Sequence, residues 1–460
     1  MPVRLTIVHM VGRFVPNRVS RAGRRYRGHV NPTPQTDLAE LDHIVSNDQM
    51  PVGDVPGGDV AAVIAGLAAR VGELTDSLDA ELIAFRRDVH SHPELSRKET
   101  RTTARVAERL RAAGLEPRLL PLPMSSGLVC DIGPDHGPDG EGRVGLRADL
   151  DALPLQETSG VEFASTHPGV AHACGHDVHT TVVLGAGLVL ARLHQEGRLR
   201  RGVRLFFQPA EEVFPGGAED IINRTSELDG VDRMAALHCD PKFDVGHVGT
   251  RIGPITSASD SVMVTISSPG GHTSRPHLTG DVVFALGQVI TQTPAVLGRR
   301  LDPRSGVNLT WGAVQAGSTP NAIPSSGVVK GTLRCLDVRA WERSGELVRE
   351  AVEQIVAPYE VSVSVTVTHG VPPVENQAEA TGDLEAAIRD AIGLDAVQLT
   401  EQSMGGEDFA WFLRKVPGTM ARLGVRTPGG RTYDLHQGDL VVDERAIGVG
   451  VRALAQFAAR

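Results

Sequence analysis

Apolar positions change their spacing twice along the chain, and the changes divide it into regions. Between residues 60 and 113 they recur every three or four positions, in AAVIAGLAARV, ELIAFRRDVH and TTARVAERLRAAG. That is the period of helices with one buried face. The last run closes on Gly114, a residue suited to the left-handed turn after a helix. Two β-prone runs follow at 127–132 and 142–150, separated by the loop GPDHGPDGEG. A polar cluster, a helical run at 180–195 and apolar runs at 202–207 and 231–237 come next. This alternation predicts a mainly parallel sheet covered by helices.

After residue 253 the texture becomes alternating strands: 261–268, 306–317, 327–338 and 361–370, with helices at 281–290 and 340–356. A β-α-β-β-α-β order predicts an open-faced sandwich of the ferredoxin-like kind, inserted at 257–368. The flanks, 70–256 and 369–460, would then form one α/β domain, with helices near 382–392 and 407–413. The fold class expected is α/β, carrying an inserted α+β domain.

Composition narrows the function. With 41% hydrophobic residues and no apolar run approaching a membrane span, the chain of 460 residues reads as globular and not membrane-bound. A formal charge of -10 argues against a general nucleic-acid binder, and 4% aromatic residues leave no stacking platform for single strands. Four cysteines, at 130, 174, 239 and 335, show no disulfide framework, so a reducing cytoplasm is expected. Seven arginines, from Arg4 to Arg27, precede the first acidic residue, Asp37. We read residues 1–55 as a dispensable extension, with Met50 as a candidate start; a targeting segment or a nucleic-acid arm is the alternative.

The chemistry concentrates at AHACGHDVHT, 171–180. A thiolate two residues before an imidazole suits a divalent metal, which makes Cys174 and His176 the first ligand candidates. The competing reading is a helix start capped by Asp177 or Thr180. RADLDALP places Asp149 and Asp151 at the C-terminal end of a strand, where ligands gather in α/β sheets. In QPAEE, Glu211 and Glu212 point to opposite sides of an extended chain, so one suits metal binding and the other proton transfer. His238 follows an apolar run one strand further on, and His272 lies among glycines in PGGHTSRPH. His90 and His92, beside Pro93, fit a helix end.

The ordered set HSHPE, RADLDALP, HACGHDVHT, QPAEE, ALH, GGHTSRPH, TPNAIP, GTLR, GGEDF and the LH at 435–436 covers residues 80–455. It resembles the amidohydrolase branch of the dinuclear aminoacylase and carboxypeptidase G metallopeptidases, which includes hippurate hydrolase and auxin-conjugate hydrolases. The resemblance implies hydrolysis of N-acylated amino acids by a metal-activated water, with Glu211 as general base. It implies two divalent ions, zinc or manganese first and cobalt or nickel next, held by Cys174, His176, Glu212, His238 and His436. Asp151 would orient a ligand. The inserted domain would serve as lid and dimerisation surface of a homodimer, sending His272 into the partner's site. Asn321 and Arg334 would hold the substrate's carbonyl and carboxylate. On the same residues stand two rivals: a hydrolase with Cys174 as nucleophile and His176 or His179 as base, and a non-catalytic binding protein.

Overall fold

The computed structural model describes residues 57–460, so the extension expected at 1–55 and its arginines lie outside the described residues. The helical runs at 61–71 and 81–90 join into one helix, Gly57–Ser91. Leu74 and Leu78 fill the gap between them, keeping the period from Val71 to Leu82 and packing on the same core. The next helix, Thr100–Ala112, ends as expected: Gly114 takes φ +81° and its N–H donates to the Arg111 carbonyl.

Eight strands form the central sheet. Its middle is parallel: Val203–Gln208, Arg143–Asp149, Val231–Asp244 and Gly418–Arg426 lie side by side in that order. Both faces are covered, which is why these strands read as near-continuous apolar runs. On one face Leu205, Phe207, Ala235 and Leu237 meet the helices Gly57–Ser91, His176–Gln195 and Arg445–Ala459. On the other, Phe206, Met234, Ala236 and Met420 pack on Ile221, Phe409 and Phe412. Alternation along the strands puts Arg147, His238 and Arg422 on this second face.

A second sheet, of four antiparallel strands, joins Asn308–Ala316, Ser326–Cys335, Ala258–Ser267 and Ser362–Val371 in that order. Helices Val282–Arg300 and Val338–Val356 cover one face of it, around Val264, Val289, Leu333 and Val352. No helix among the described residues is long and apolar enough to cross a membrane. The four cysteines are buried and unbridged.

Candidate metal centre

The site gathers at the C-terminal ends of the parallel strands. Asp149 ends one, Asp151 follows it, and Glu211 and Glu212 follow the strand ending at Gln208. The helix expected from 180 starts four residues earlier, at His176, and neither expected cap operates. Asp177 instead accepts from Arg86 Nε at 2.6 Å and pairs with His90 Nδ1 at 2.8 Å, while the Thr180 hydroxyl donates to the Asp149 carbonyl. Gly175 is the N-cap, at φ +86°. A Cβ there would meet Cys239 Sγ at 2.8 Å and its Cβ at 2.9 Å, so glycine alone allows the turn that delivers Cys174 and His176 together.

Five side chains expected as ligands converge. Donor atoms of Cys174, His176 and His238 lie within 4.8 Å of one another, as do those of Cys174, Glu212 and His436. Cys174 Sγ is 3.6 Å from His238 Nε2, and His436 Nε2 is 3.3 Å from Glu212 Oε1. His176 Nε2 lies 3.8 Å from the same carboxylate oxygen. Among the described residues His176 Nε2 and Glu212 Oε1 are buried without a hydrogen-bond partner. Orphaned buried polar atoms are costly, and a divalent cation between them would satisfy both. The donor set, one thiol, three imidazoles and a carboxylate, is chemistry that such ions accept.

The protein fixes the imidazoles from behind. His176 Nδ1 sits 2.9 Å from the Asp151 carbonyl oxygen and 3.4 Å from its carboxylate, while His238 Nδ1 sits 2.8 Å from the Cys239 carbonyl. A carbonyl can only accept, so Nδ1 carries the hydrogen in both rings and each Nε2 keeps its lone pair for the centre. Asp151 also accepts from the Ser96 hydroxyl and the Glu212 amide. His436 holds a left-handed φ of +60°, pinned by its N–H to the Ala173 carbonyl. The proximity of Cys174 first and of Glu212 next pushes its pKa up to about 10.

Other residues of the AHACGHDVHT stretch stand back. His179 donates from Nδ1 to Asp149 at 2.6 Å and accepts the Cys239 amide at Nε2, so both ring nitrogens are used. His172 is buried, and that burial lowers its pKa to about 4. Burial works against charge on His90 too, yet the Asp177 carboxylate holds its pKa above the ordinary value. His92 turns Nδ1 to the Asp88 carbonyl, a helix-end contact.

The sequence reading assigned no role to Arg147, Glu407 or Asp408. Arg147 is fully buried and bridges Asp149 at 2.7 Å, Asp408 at 2.8 Å and Glu407 at 3.0 Å. Burial, with Glu407, pushes the Asp408 carboxyl up to about 8 in spite of Arg147. Glu211 faces this group. Burial first, then Glu407, Glu212 and Asp408, raise its pKa well above the usual carboxylate range. The only available signal was the GGEDF motif, and an acidic pair on a loop does not show that it returns to a strand 260 residues earlier.

His272 and Asn321 lie apart from this cluster. Both are exposed, at a small pairing of Gly271–His272 with Ala322–Ile323. His272 Nδ1 accepts from the Ser274 amide. Arg334, on the second sheet, donates to the Met404 carbonyl at 2.5 Å.

Residues 145–460 match the family described as Peptidase family M20/M25/M40. A Rhodococcus jostii protein bearing the name of a glutamate–cysteine ligase is 49% identical over 83% of this chain. The chain spans 47% of that relative's length, so the name covers a longer protein. An N-acetyl-L-cysteine deacetylase of Bacillus subtilis is 36% identical over 81% of this chain and 86% of its own. A solved Bacillus subtilis structure, described as a dinuclear metal-binding peptidase of the M20 family, is 30% identical with a TM-score of 0.71, covering 84% of this chain and 98% of its own.

Proposed function

This chain belongs to peptidase family M20/M25/M40, and from that premise we propose that it hydrolyses N-acylated amino acids to a carboxylic acid and an amino acid. The observation that carries the proposal is the convergence of buried Cys174, His176 and His238 with half-buried Glu212 and exposed His436, beside a further carboxyl, Glu211, which also faces Glu407 and Asp408. These five side chains would hold two divalent ions, zinc or manganese in the first instance. When bound, such ions polarise an amide carbonyl and acidify a water.

The remaining work falls to this chain's own residues. Glu211 takes a proton and returns it to the leaving amine nitrogen. Its burial, with Glu407, Glu212 and Asp408 nearby, raises its affinity for a proton, as a group that takes one up and passes it on requires. Asp151 orients His176, and Arg147 neutralises the carboxyls behind Glu211. His272 and Asn321 make no contact with the cluster of their own chain. We assign them to a partner's site in a homodimer, His272 to stabilise the oxyanion and Asn321 to hold the carbonyl. Val314 on the outer strand of the second sheet, with Val283 and Phe284 on its helix, is exposed and would lie in that dimer contact.

A cysteine nucleophile is disfavoured by the same geometry. Burial pushes the Cys174 thiol up, and His179, one of the two bases proposed for it, has both nitrogens committed. Two measurements test the proposal. Glu211→Gln should keep its metal content and lose turnover of an N-acetyl amino acid panel by at least about 10³-fold. Chelation should abolish wild-type activity, and added zinc or manganese should restore it. Activity that persists in fully metal-free protein sinks the reading.

A further inference from the structure

The loop that carries Glu407 and Asp408 is loaded from inside and held from outside. Glu211, Glu407 and Asp408 present oxygens within 4.8 Å of one another, and Asp149 shares the Arg147 guanidinium with the last two. Four carboxyls thus gather round one arginine, and among the described residues Glu407 Oε2 is buried without a hydrogen-bond partner. Crowding carboxyls in this way is unfavourable, whether they repel one another or take up protons. A loop so loaded would swing outward unless its backbone were anchored elsewhere.

The anchors come from the second sheet and the segment leading into it. The Met404 carbonyl accepts from the Ser257 hydroxyl at 2.8 Å and from Arg334 at 2.5 Å, and the Gly405 carbonyl accepts from the Ser257 amide. Gly406 passes so close to Val371 and Ser259 that a Cβ would meet them at 3.0 and 3.1 Å. Beyond the acidic pair, on the short helix Phe409–Leu413, Trp411 packs both on the core of the second sheet and on the core at the second face of the central one. Its ring meets Trp341 edge to face, with centroids 6.2 Å apart at 73°. Trp341, on the Val338–Val356 helix, is fixed in turn, because its indole N–H donates to the buried Asp260 carboxylate at 3.0 Å. Arg414 and Glu342 add an exposed ion pair alongside. Exposed pairs contribute little, which leaves the two indoles as the main side-chain link.

We propose that Trp341 and Trp411 are positioning residues for the hydrolytic step: through their contact the second sheet holds Glu407 and Asp408 against Arg147, behind Glu211. The proposal rests on the hydrolase reading above for the reaction it serves, and amide exchange tests it apart from that reading. The Ala218 amide donates to Asp408 Oδ2 at 3.1 Å, and the Phe409 amide to Glu407 Oε1 at 2.9 Å. Ala218 lies in the first turn of the Gly217–Arg224 helix, where an amide has no helical partner, so its protection reports where Asp408 lies.

Hydrogen exchange of metal-loaded protein is followed by mass spectrometry in short peptides covering 216–220 and 403–411. In Trp411→Ala both stretches should lose protection by about tenfold or more. With metal content unchanged, kcat for an N-acetyl amino acid should fall by about tenfold or more while KM stays within about twofold. Trp411→Phe, which keeps a ring against Trp341, should restore both readouts. Should the alanine variant not fold, Trp411→Leu carries the same expectation, since it keeps apolar volume and removes the ring contact. Unchanged exchange at 216–220 in a folded variant overturns the proposal. So does a change confined to KM, or a loss that Trp411→Phe does not repair. If the wild type hydrolyses no N-acyl amino acid, the hydrolase reading falls, and the exchange result decides by itself whether the indoles hold the two carboxyls in place.

Discussion

Replacing Arg147 would strand three carboxyls inside the molecule. Asp149, Glu407 and Asp408 all lie within 3.0 Å of its guanidinium and are themselves buried. Removing one partner from a buried charge network typically costs about 3 to 5 kcal/mol. Arg147→Met is expected to lose stability on that scale, read from the urea midpoint at constant m-value. A loss below about 1 kcal/mol would show that the carboxyls are protonated or hydrated. At this scale the sequence is informative about chemistry and poor at partnership. Cys174, His176, Glu211 and Glu212 announce themselves as ligand-type or paired acidic residues. Arg147 and Arg422 look like ordinary strand arginines, because what sets them apart is the presence or absence of an acid that arrives from elsewhere in the chain.

At the scale of elements, the turn carrying Glu211 and Glu212 depends on the start of a distant helix. Ala210 adopts a left-handed φ of +57°, and its amide donates to Glu99 Oε1 at 2.8 Å. Glu99, at the N-terminus of the Thr100–Ala112 helix, also accepts from the Arg97 amide and the Ser126 hydroxyl. Burial, then the charge of Asp151, raises its pKa from 4.5 to about 7. A carboxyl with a raised folded pKa holds its proton more tightly in the folded state, so its contribution to stability is lost as pH rises from about 4.5 to about 7. Glu99→Gln keeps the acceptor for both amides and removes the charge. Its stability relative to wild type should therefore rise across that window, measured as paired unfolding midpoints at several pH values. A flat difference would mean that Glu99 ionises normally. The helices themselves were legible from their period. The start at His176 was not, because it depends on Gly175 passing against Cys239, a contact across 64 residues that no local pattern records.

For the whole molecule, the dimeric reading makes a quantitative demand. If His272 completes the partner's site, His272→Ala and Glu211→Gln homodimers are both inactive. Mixed dimers then contain one site with Glu211 from its own chain and His272 from the other. Statistical subunit exchange should restore about a quarter of the wild-type rate, since half of the dimers are mixed and each has one working site. No recovery after exchange confirmed by mass would place His272 outside the site.

The alternation of apolar runs determined the layers of this protein. Burial of both sheet faces, or of one helix face, leaves a period that can be read along the chain: parallel strands as continuous apolar runs, the second sheet as alternating ones. The types of the candidate ligands were likewise present in the sequence, since metal chemistry needs particular atoms whatever the fold. The tertiary structure alone decided which of those atoms meet. Cys174 lies 64 residues from His238 and 262 from His436, and only the docking of strand ends brings their side chains within reach. It also decided which charges are compensated. Arg147 and Arg422 occupy the same face of one sheet, and the loop bearing Glu407 and Asp408 reaches only the first.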